Sequence, residues 1–150
     1  MSEQVIKEII GRRSFVLITG ASRGFGRSLA LEMGKVVGAG STLLLMARNK
    51  DDLEVTKEIV RDARPGLAVE CEVLDLAAAD KEALERAVKA NYGSADHEVA
   101  IVIQNAGTIG QDGRKITVKL YINSKNIWCL VYGSFPRSLR ISMRCRDTTA

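Results

Sequence analysis

Ser14-Phe-Val-Leu-Ile-Thr-Gly-Ala-Ser-Arg-Gly-Phe-Gly26 sets an apolar run, a glycine-rich turn and the start of a helical pattern end to end, with no residue to spare. Phe15, Val16, Leu17 and Ile18 form a short continuous apolar stretch, the pattern of a strand buried on both faces of a parallel sheet. Gly20, Gly24 and Gly26 then omit the Cβ atoms that would obstruct a tight turn, a close ligand approach and the packing of helix on strand. The first free N–H groups of the following helix point into that gap with the positive end of the helix dipole behind them, so the turn suits a pyrophosphate. Three glycines after a strand also make an ordinary strand-to-helix turn, and the rest of the chain has to decide between the two uses.

Downstream, Phe25, Leu29, Met33 and Val36/Val37 recur at helical spacing and are expected to face inward, with Gly38 and Gly40 ending the helix. Thr42 to Ala47 reads as a second buried strand. Asn49 can cap the next helix, Asp51, Asp52 and Glu54 favour its positive end, and Leu53, Ile59, Val60 and Ala63 supply its inward stripe before Pro65-Gly66 closes it. Leu67, Val69, Cys71 and Val73 alternate with Ala68, Glu70 and Glu72, as in a strand with one wetter face at a sheet edge. Asp75-Leu76 leads to a helix expected from about Ala78 to Tyr92, with Leu84, Ala87 and Val88 inward, and Val99 to Ile103 is a fourth apolar strand running into Gln104-Asn105-Ala106-Gly107. The order β-α-β-α-β-α-β with short connections predicts an α/β protein: the N-terminal half of a three-layer αβα Rossmann fold, about four parallel strands with flanking helices. Upstream, residues 3 to 10 are expected to form a short helical turn with Val5, Ile6, Ile9 and Ile10 on one side.

Past Gly110 the character changes. Ile116, Val118, Leu120 and Ile122 alternate with Thr117, Lys119, Tyr121 and Asn123 in a strand-like way, Trp128 to Tyr132 is a further apolar patch, and the last fifteen residues, rich in Arg and Ser, read as disordered. The expected division is a dinucleotide-binding half-domain over 1–110 and a divergent, irregular basic tail over 111–150. Without further strands Val99–Ile103 would be an uncovered apolar edge, with which the 116–122 segment could pair.

Composition narrows the function. The 150 residues suffice for one domain with one core, 46% are hydrophobic, and no apolar run approaches the ~18 residues that span a bilayer. The first residues mix charges among the apolar ones and show no uninterrupted apolar leader, so a cytoplasmic location is expected. Cys71, Cys129 and Cys145 are odd in number and scattered, which fits reduced thiols and neither a disulfide framework nor a metal site. The net charge of +4 belongs to the tail: residues 1–110 carry 14 basic and 16 acidic side chains, residues 111–150 carry 8 and 2. Those tail cations are spaced rather than clustered, which argues against nucleic acid or a membrane as partner.

Thr19-Gly-Ala-Ser-Arg-Gly-Phe-Gly26 taken with Ala47-Arg48-Asn49, Asp75-Leu76 and Asn105-Ala-Gly107 resembles the short-chain dehydrogenases/reductases over roughly residues 14 to 110, four motifs in order. Ala-Ser-Arg-Gly-Phe-Gly-Arg followed by Ala-Arg-Asn is most similar to the pterin-reducing branch of that family. The resemblance implies NADPH-dependent reduction of a pterin carbonyl and a cofactor site at Gly20, Ala21, Ser22, Arg23, Gly24, Phe25, Gly26, Ala47, Arg48, Asp75, Leu76, Asn105, Ala106 and Gly107. It further implies that Asp75 accepts from the adenine amine, with a Leu76 N–H nearby, and that Asn105, Ala106 and Gly107 line the adenine-ribose side and brace the central strands; Gln104 stands where the family usually has an Asn. The residues themselves agree on NADP(H). A carboxylate after the second strand would bind a ribose 2′-hydroxyl and repel a 2′-phosphate, whereas Ala47-Arg48 stands there, and Arg23 in the glycine turn is a second guanidinium able to grip phosphate. The competing uses are a solvated surface arginine for Arg48 or Arg23, and a helix cap for Asp75.

The family's proton donor is a Tyr with a Lys four residues later, helped by a Ser, expected roughly 30 to 70 positions past Asn105 on elements that extend the sheet. Tyr121-Ile-Asn-Ser-Lys125 has that spacing but lies in a period-2 pattern, where i and i+4 stand ~13 Å apart instead of one helical turn. No catalytic residue is therefore assigned, His97 is read as a surface residue, and the chain is expected to hold the cofactor half of the fold with a divergent or truncated end. Two roles stay open: carbonyl reductase, and a non-catalytic NADP(H)-binding partner of a full-length paralogue. A homo-oligomer is equally open.

Overall fold

The computed structural model describes residues 7, 9–92, 96–106, 119–124 and 127–130. Four parallel strands alternate with three helices: β1 (Ser14–Thr19), α1 (Gly24–Val36), β2 (Thr42–Ala47), α2 (Lys50–Ala63), β3 (Ala68–Val73), α3 (Lys81–Tyr92) and β4 (Val99–Gln104). Two further strands, β5 (Lys119–Ser124) and β6 (Ile127–Leu130), complete a sheet of order β3-β2-β1-β4-β5-β6. β1 runs parallel to both β2 and β4, with Val16 opposite Leu43 on one side and Ile101 on the other.

Alternation along the strands divides the core into two layers. Val16, Ile18, Leu43, Leu45, Val69, Ile101 and Ile103 face α1 and α2, where Ala30, Leu53 and Val60 meet them. Phe15, Leu17, Leu44, Met46 and Val102 face the other way, onto Leu84 and Ala87 of α3. Helices thus cover both sides of the parallel strands, which is why Phe15 to Ile18 of β1 and Leu43 to Ala47 of β2 are continuously apolar and not alternating. β3 lies at the edge and is half-buried along most of its length, as its charged alternation anticipates.

Several expectations are corrected. Phe25 is 62% exposed, because α1 turns Gly26, Ala30 and Gly34 to the sheet. Gly34 is needed there: a Cβ would come within 3.1 Å of Val60 Cγ1. In α2 the buried stripe is Leu53, Thr56 and Val60, while Ile59 is 37% exposed and Ala63 faces solvent. Ile10 is likewise exposed, whereas Ile9 enters the core, and Val5 and Ile6 lie outside the described residues. The third helix starts at Lys81, not near Ala78, since Asp80 supplies its cap by accepting Ala83 N–H at 2.7 Å.

β4 has no open edge. Its full length pairs antiparallel with β5, from Val99 opposite Ser124 to Gln104 opposite Lys119, and β6 pairs antiparallel with β5. The irregular reading of the tail is therefore corrected over these two strands. The alternation read across 116–122 is realised as β5 two to three residues later, and the last fifteen residues lie outside those described. No helix among the described residues is long and apolar enough to cross a membrane.

Candidate functional site

The parallel strands deliver their C-terminal ends to one side of the sheet, and the strand order reverses between β1 and β4, where doubly wound folds open a crevice. Hydrogen bonds knit these ends together. Ala21 N–H donates to Met46 O at 3.2 Å and Leu74 N–H to Ala47 O at 3.0 Å, joining the glycine turn to β2 and β2 to the exit of β3. Thr19 Oγ1 accepts both Asn105 N–H and Ala106 N–H at 3.0 Å and reaches Ile103 O at 3.5 Å. The Asn105 amide donates to Gly20 O at 3.2 Å. Asn105 and Ala106 thus brace the central strands.

The three glycines of the turn do different work. Gly20 has φ +66° and a Cβ there would lie 2.9 Å from Ala106 Cα, while a Cβ on Gly26 would overlap the Gly20 carbonyl oxygen. Gly24 has φ +56° with nothing within 4 Å of its missing Cβ, so its need is conformational and the space before it is open.

Beneath the turn lies a polar support. The buried Thr56 hydroxyl sits 3.0 Å from Ala21 O, 3.2 Å from Ser22 O and 3.1 Å from Asp52 O, and accepts Arg27 Nε–H at 3.0 Å. Arg27 Nη2 donates to Ser22 O and, at 3.4 Å, to Asp52 O. In a trans peptide the N–H points opposite the carbonyl. Drawing the Ala21 and Ser22 carbonyls down onto α2 therefore turns the Ser22 and Arg23 amides the other way.

The N-terminus of α1 differs from those of the other two helices. Its N-cap, Arg23, makes no side-chain capping bond, and its first turn holds no acidic residue. α2 is capped by Asn49, which accepts Asp52 N–H at 3.0 Å and is followed by Asp51 and Asp52; α3 has Asp80 and Glu82. The positive end of α1 is the one left for an external anion.

Ala47 ends β2 at the rim of the core, and Arg48 follows it, exposed. Among the described residues neither the Arg48 nor the Arg23 guanidinium has a hydrogen bond or ion pair. Asp75 is exposed; its Oδ1 accepts Ala77 N–H at 3.0 Å and its carbonyl accepts Ala78 and Ala79 N–H, so it caps the turn after β3 rather than α3. Leu76 packs against the core on the α3 side. Gly20 to Gly26, Ala47, Arg48, Asp75, Leu76, Asn105 and Ala106 thus share one end of the sheet, and Gly107 lies outside the described residues. Thr19, Arg27 and Thr56 were missed. The signal for Thr56 was its place between Leu53 and Val60, at the helical spacing of a buried stripe.

The remaining reactive groups lie elsewhere. His97 precedes β4, at the opposite end of the sheet, and is half-buried rather than superficial, its ring centroid 5.1 Å from that of Tyr92 and 5.7 Å from that of Phe15. Burial, and then the nearby Arg13 charge, push its pKa below the ordinary value, against a weaker pull from Asp96. Cys71 on β3 points its thiol to Leu53 O at 3.6 Å; burial, then Glu54, raise its pKa to about 11, which keeps it an unreactive thiol at neutral pH. The described residues hold no cluster of metal-ligating side chains. A hollow lined by Gly38 to Gly40 and Arg64 to Leu67 lies at the N-terminal ends of β2 and β3, away from the crevice, and Arg64 there is engaged with the carbonyls of Gly34 and Lys35 at 3.3 and 3.2 Å.

The profile of the short chain dehydrogenase family matches residues 14–126. Sepiapterin reductase of Xenopus laevis is 39% identical over 134 residues, covering 81% of this chain and 51% of its own length. That of Rattus norvegicus is 34% identical over 116 residues, covering 76% and 44%. The chain spans about half the length of the curated relatives it matches. Among solved structures, a short chain dehydrogenase from Salmonella enterica serovar Typhi is similar with a TM-score of 0.55 at 26% identity, over 73% of this chain and 42% of that one. L-sorbose reductase from Gluconobacter frateurii, complexed with NADPH and L-sorbose, gives 0.52 at 26%, over 67% and 35%.

Proposed function

The chain belongs to the short chain dehydrogenase family, and from that premise we propose that it binds NADP(H) at the C-terminal ends of β1 to β4 and serves the cytoplasmic reduction of a pterin carbonyl, the sepiapterin step of tetrahydrobiopterin synthesis. The observation that carries the reading is the uncapped N-terminus of α1, opened by Gly24 and headed by Arg23. Pyrophosphate suits it because the backbone amides and the helix dipole already favour negative charge there. Arg48, unengaged at the end of β2 where a carboxylate would select NAD, favours the 2′-phosphate. Asp75 would meet the adenine amine, and Asn105 and Ala106 the adenine-ribose side. The nicotinamide, when bound, supplies the hydride; the chain's own residues bind and orient the nucleotide through its phosphates.

A second reading rests on Tyr121. It lies in the middle of β5, paired with Val102 and Leu130, so its backbone is extended, and Ile122 to Ser124 continue the strand rather than a helical turn. That favours NADP(H) binding without turnover, as a homo-oligomer or as the partner of a longer paralogue. Titration of the purified chain with NADPH and NADH, followed by an assay of sepiapterin consumption, tests both. Tighter NADPH binding with turnover supports the reductase, the same binding without turnover supports the second reading, and indifference to both nucleotides overturns the two together.

A further inference from the structure

We propose that Arg27 and Thr56 are positioning residues that fix the span between the glycine turn and Arg48, and thereby set the preference for the 2′-phosphorylated nucleotide; this rests on the NADP(H) reading above. The two anion-binding parts sit on different elements. The turn belongs to the β1–α1 connection, whereas Arg48 is carried by the short link from β2 into α2. Their direct tie is the Ala21 N–H to Met46 O bond, two residues short of Arg48. The β1–β2 ladder ends at Thr19 opposite Met46, and beyond it the side-chain ties between the turn and the start of α2 run through Arg27 and Thr56. The guanidinium takes the Ser22 carbonyl and the Asp52 carbonyl with one nitrogen and Thr56 Oγ1 with another, and Thr56 Oγ1 lies 3.0 to 3.2 Å from Ala21 O, Ser22 O and Asp52 O. Asp52 is itself held by the Asn49 cap, the residue next to Arg48. A continuous hydrogen-bonded path therefore joins the pyrophosphate turn to the backbone beside the 2′-phosphate cation.

The latch also carries charge. Among the described residues no carboxylate lies within 4.0 Å of the Arg27 guanidinium, whose partners are carbonyls and one hydroxyl. A partly buried cation without a counter-ion adds positive potential beneath a turn that would hold several phosphate charges. The planar fork matters as much: Arg27 reaches Thr56 with Nε and the Ser22 and Asp52 carbonyls with Nη2, whereas a lysine keeps the charge but offers one nitrogen in place of the two.

The test compares NADPH and NADH affinities of the 150-residue chain with those of R27K, T56V and T56S. Loosening the span should weaken NADPH binding about tenfold, the scale of one charge-assisted hydrogen bond, in R27K and T56V. NADH, which shares the pyrophosphate turn but lacks the 2′-phosphate, should weaken by a clearly smaller factor, so the preference narrows, and T56S, which keeps the hydroxyl, should restore it. A merely structural role would lower both affinities in parallel and leave the ratio unmoved; that result, or an unchanged ratio in R27K and T56V, overturns the proposal. Should T56V not fold, R27K, whose side chain is partly exposed, decides alone. A wild-type chain that prefers NADPH isolates a failure of the latch, while one that binds neither nucleotide overturns the functional reading and the latch with it.

Discussion

At Arg48 the choice of cofactor comes down to the sign of one side chain. Arg48→Asp places a carboxylate where the 2′-phosphate would lie, and NADPH affinity should fall at least about tenfold while NADH binding holds or improves, as read by fluorescence titration. The glycines can be ranked in the same way. Gly26→Ala drives a Cβ into the Gly20 carbonyl and to within 2.6 Å of Asn105 Nδ2, and should cost about 2 kcal/mol or more in chemical unfolding. Gly24→Ala meets no atom and carries only the left-handed penalty of about 1–2 kcal/mol. His97 gives a pH dependence whose sign follows from its surroundings. Its folded pKa lies below the ordinary 6.5, so its contribution is complete above that value and is lost as pH falls through the folded one. Between about pH 7.5 and about pH 5 the urea midpoint should therefore drop, and His97→Gln should flatten the part of that drop due to this ring. An equal drop in the variant would assign the effect to other groups.

Among the elements, the ones easiest to read from sequence were those whose chemistry is local. The apolar runs gave β1, β2 and β4 almost to the residue, and Asn49 before three acids gave the start of α2. Where the reading slipped, a polar group was satisfied by something distant in sequence. Including Ile59 and Ala63 with Leu53 and Val60 in the inward stripe of α2 rotated the helix away from Thr56, whose hydroxyl is buried only because the carbonyls of a turn 34 and 35 residues earlier receive it. Asp75 and Asp80 are both good cap residues, and a linear reading has no means of knowing that the first serves the turn and the second α3. The role of Thr19 was hidden likewise, since its partners Asn105 and Ala106 come just after β4, on the other side of three helices in sequence. Thr19→Val would leave two N–H groups without their acceptor, and should destabilise the chain by about 2 kcal/mol in urea unfolding while loosening the crevice. A loss below about 0.5 kcal/mol would mean that the strand ends are held by other bonds.

For the molecule as a whole, the sheet is continued by two antiparallel strands beyond its parallel half. β5 covers the apolar β4 along all six residue pairs, replacing the exposed edge anticipated from the sequence. Amide exchange should accordingly show protection within 119–124 at least equal to that of β3, and fast exchange throughout that segment would contradict the pairing. The crevice then remains the opening at the C-terminal ends of the parallel strands, with the amides of the turn above the Arg27–Thr56 support and Arg48 beside it. The most direct measurement is a titration of isotopically labelled chain with 2′,5′-ADP, followed amide by amide. Saturable shifts should be largest at Ser22 to Gly26 and at Arg48, and small around Gly38 to Gly40 and Arg64 to Leu67 at the far end of the sheet. No saturable shift at the turn, or shifts confined to the far end, would contradict a phosphate site on the α1 N-terminus.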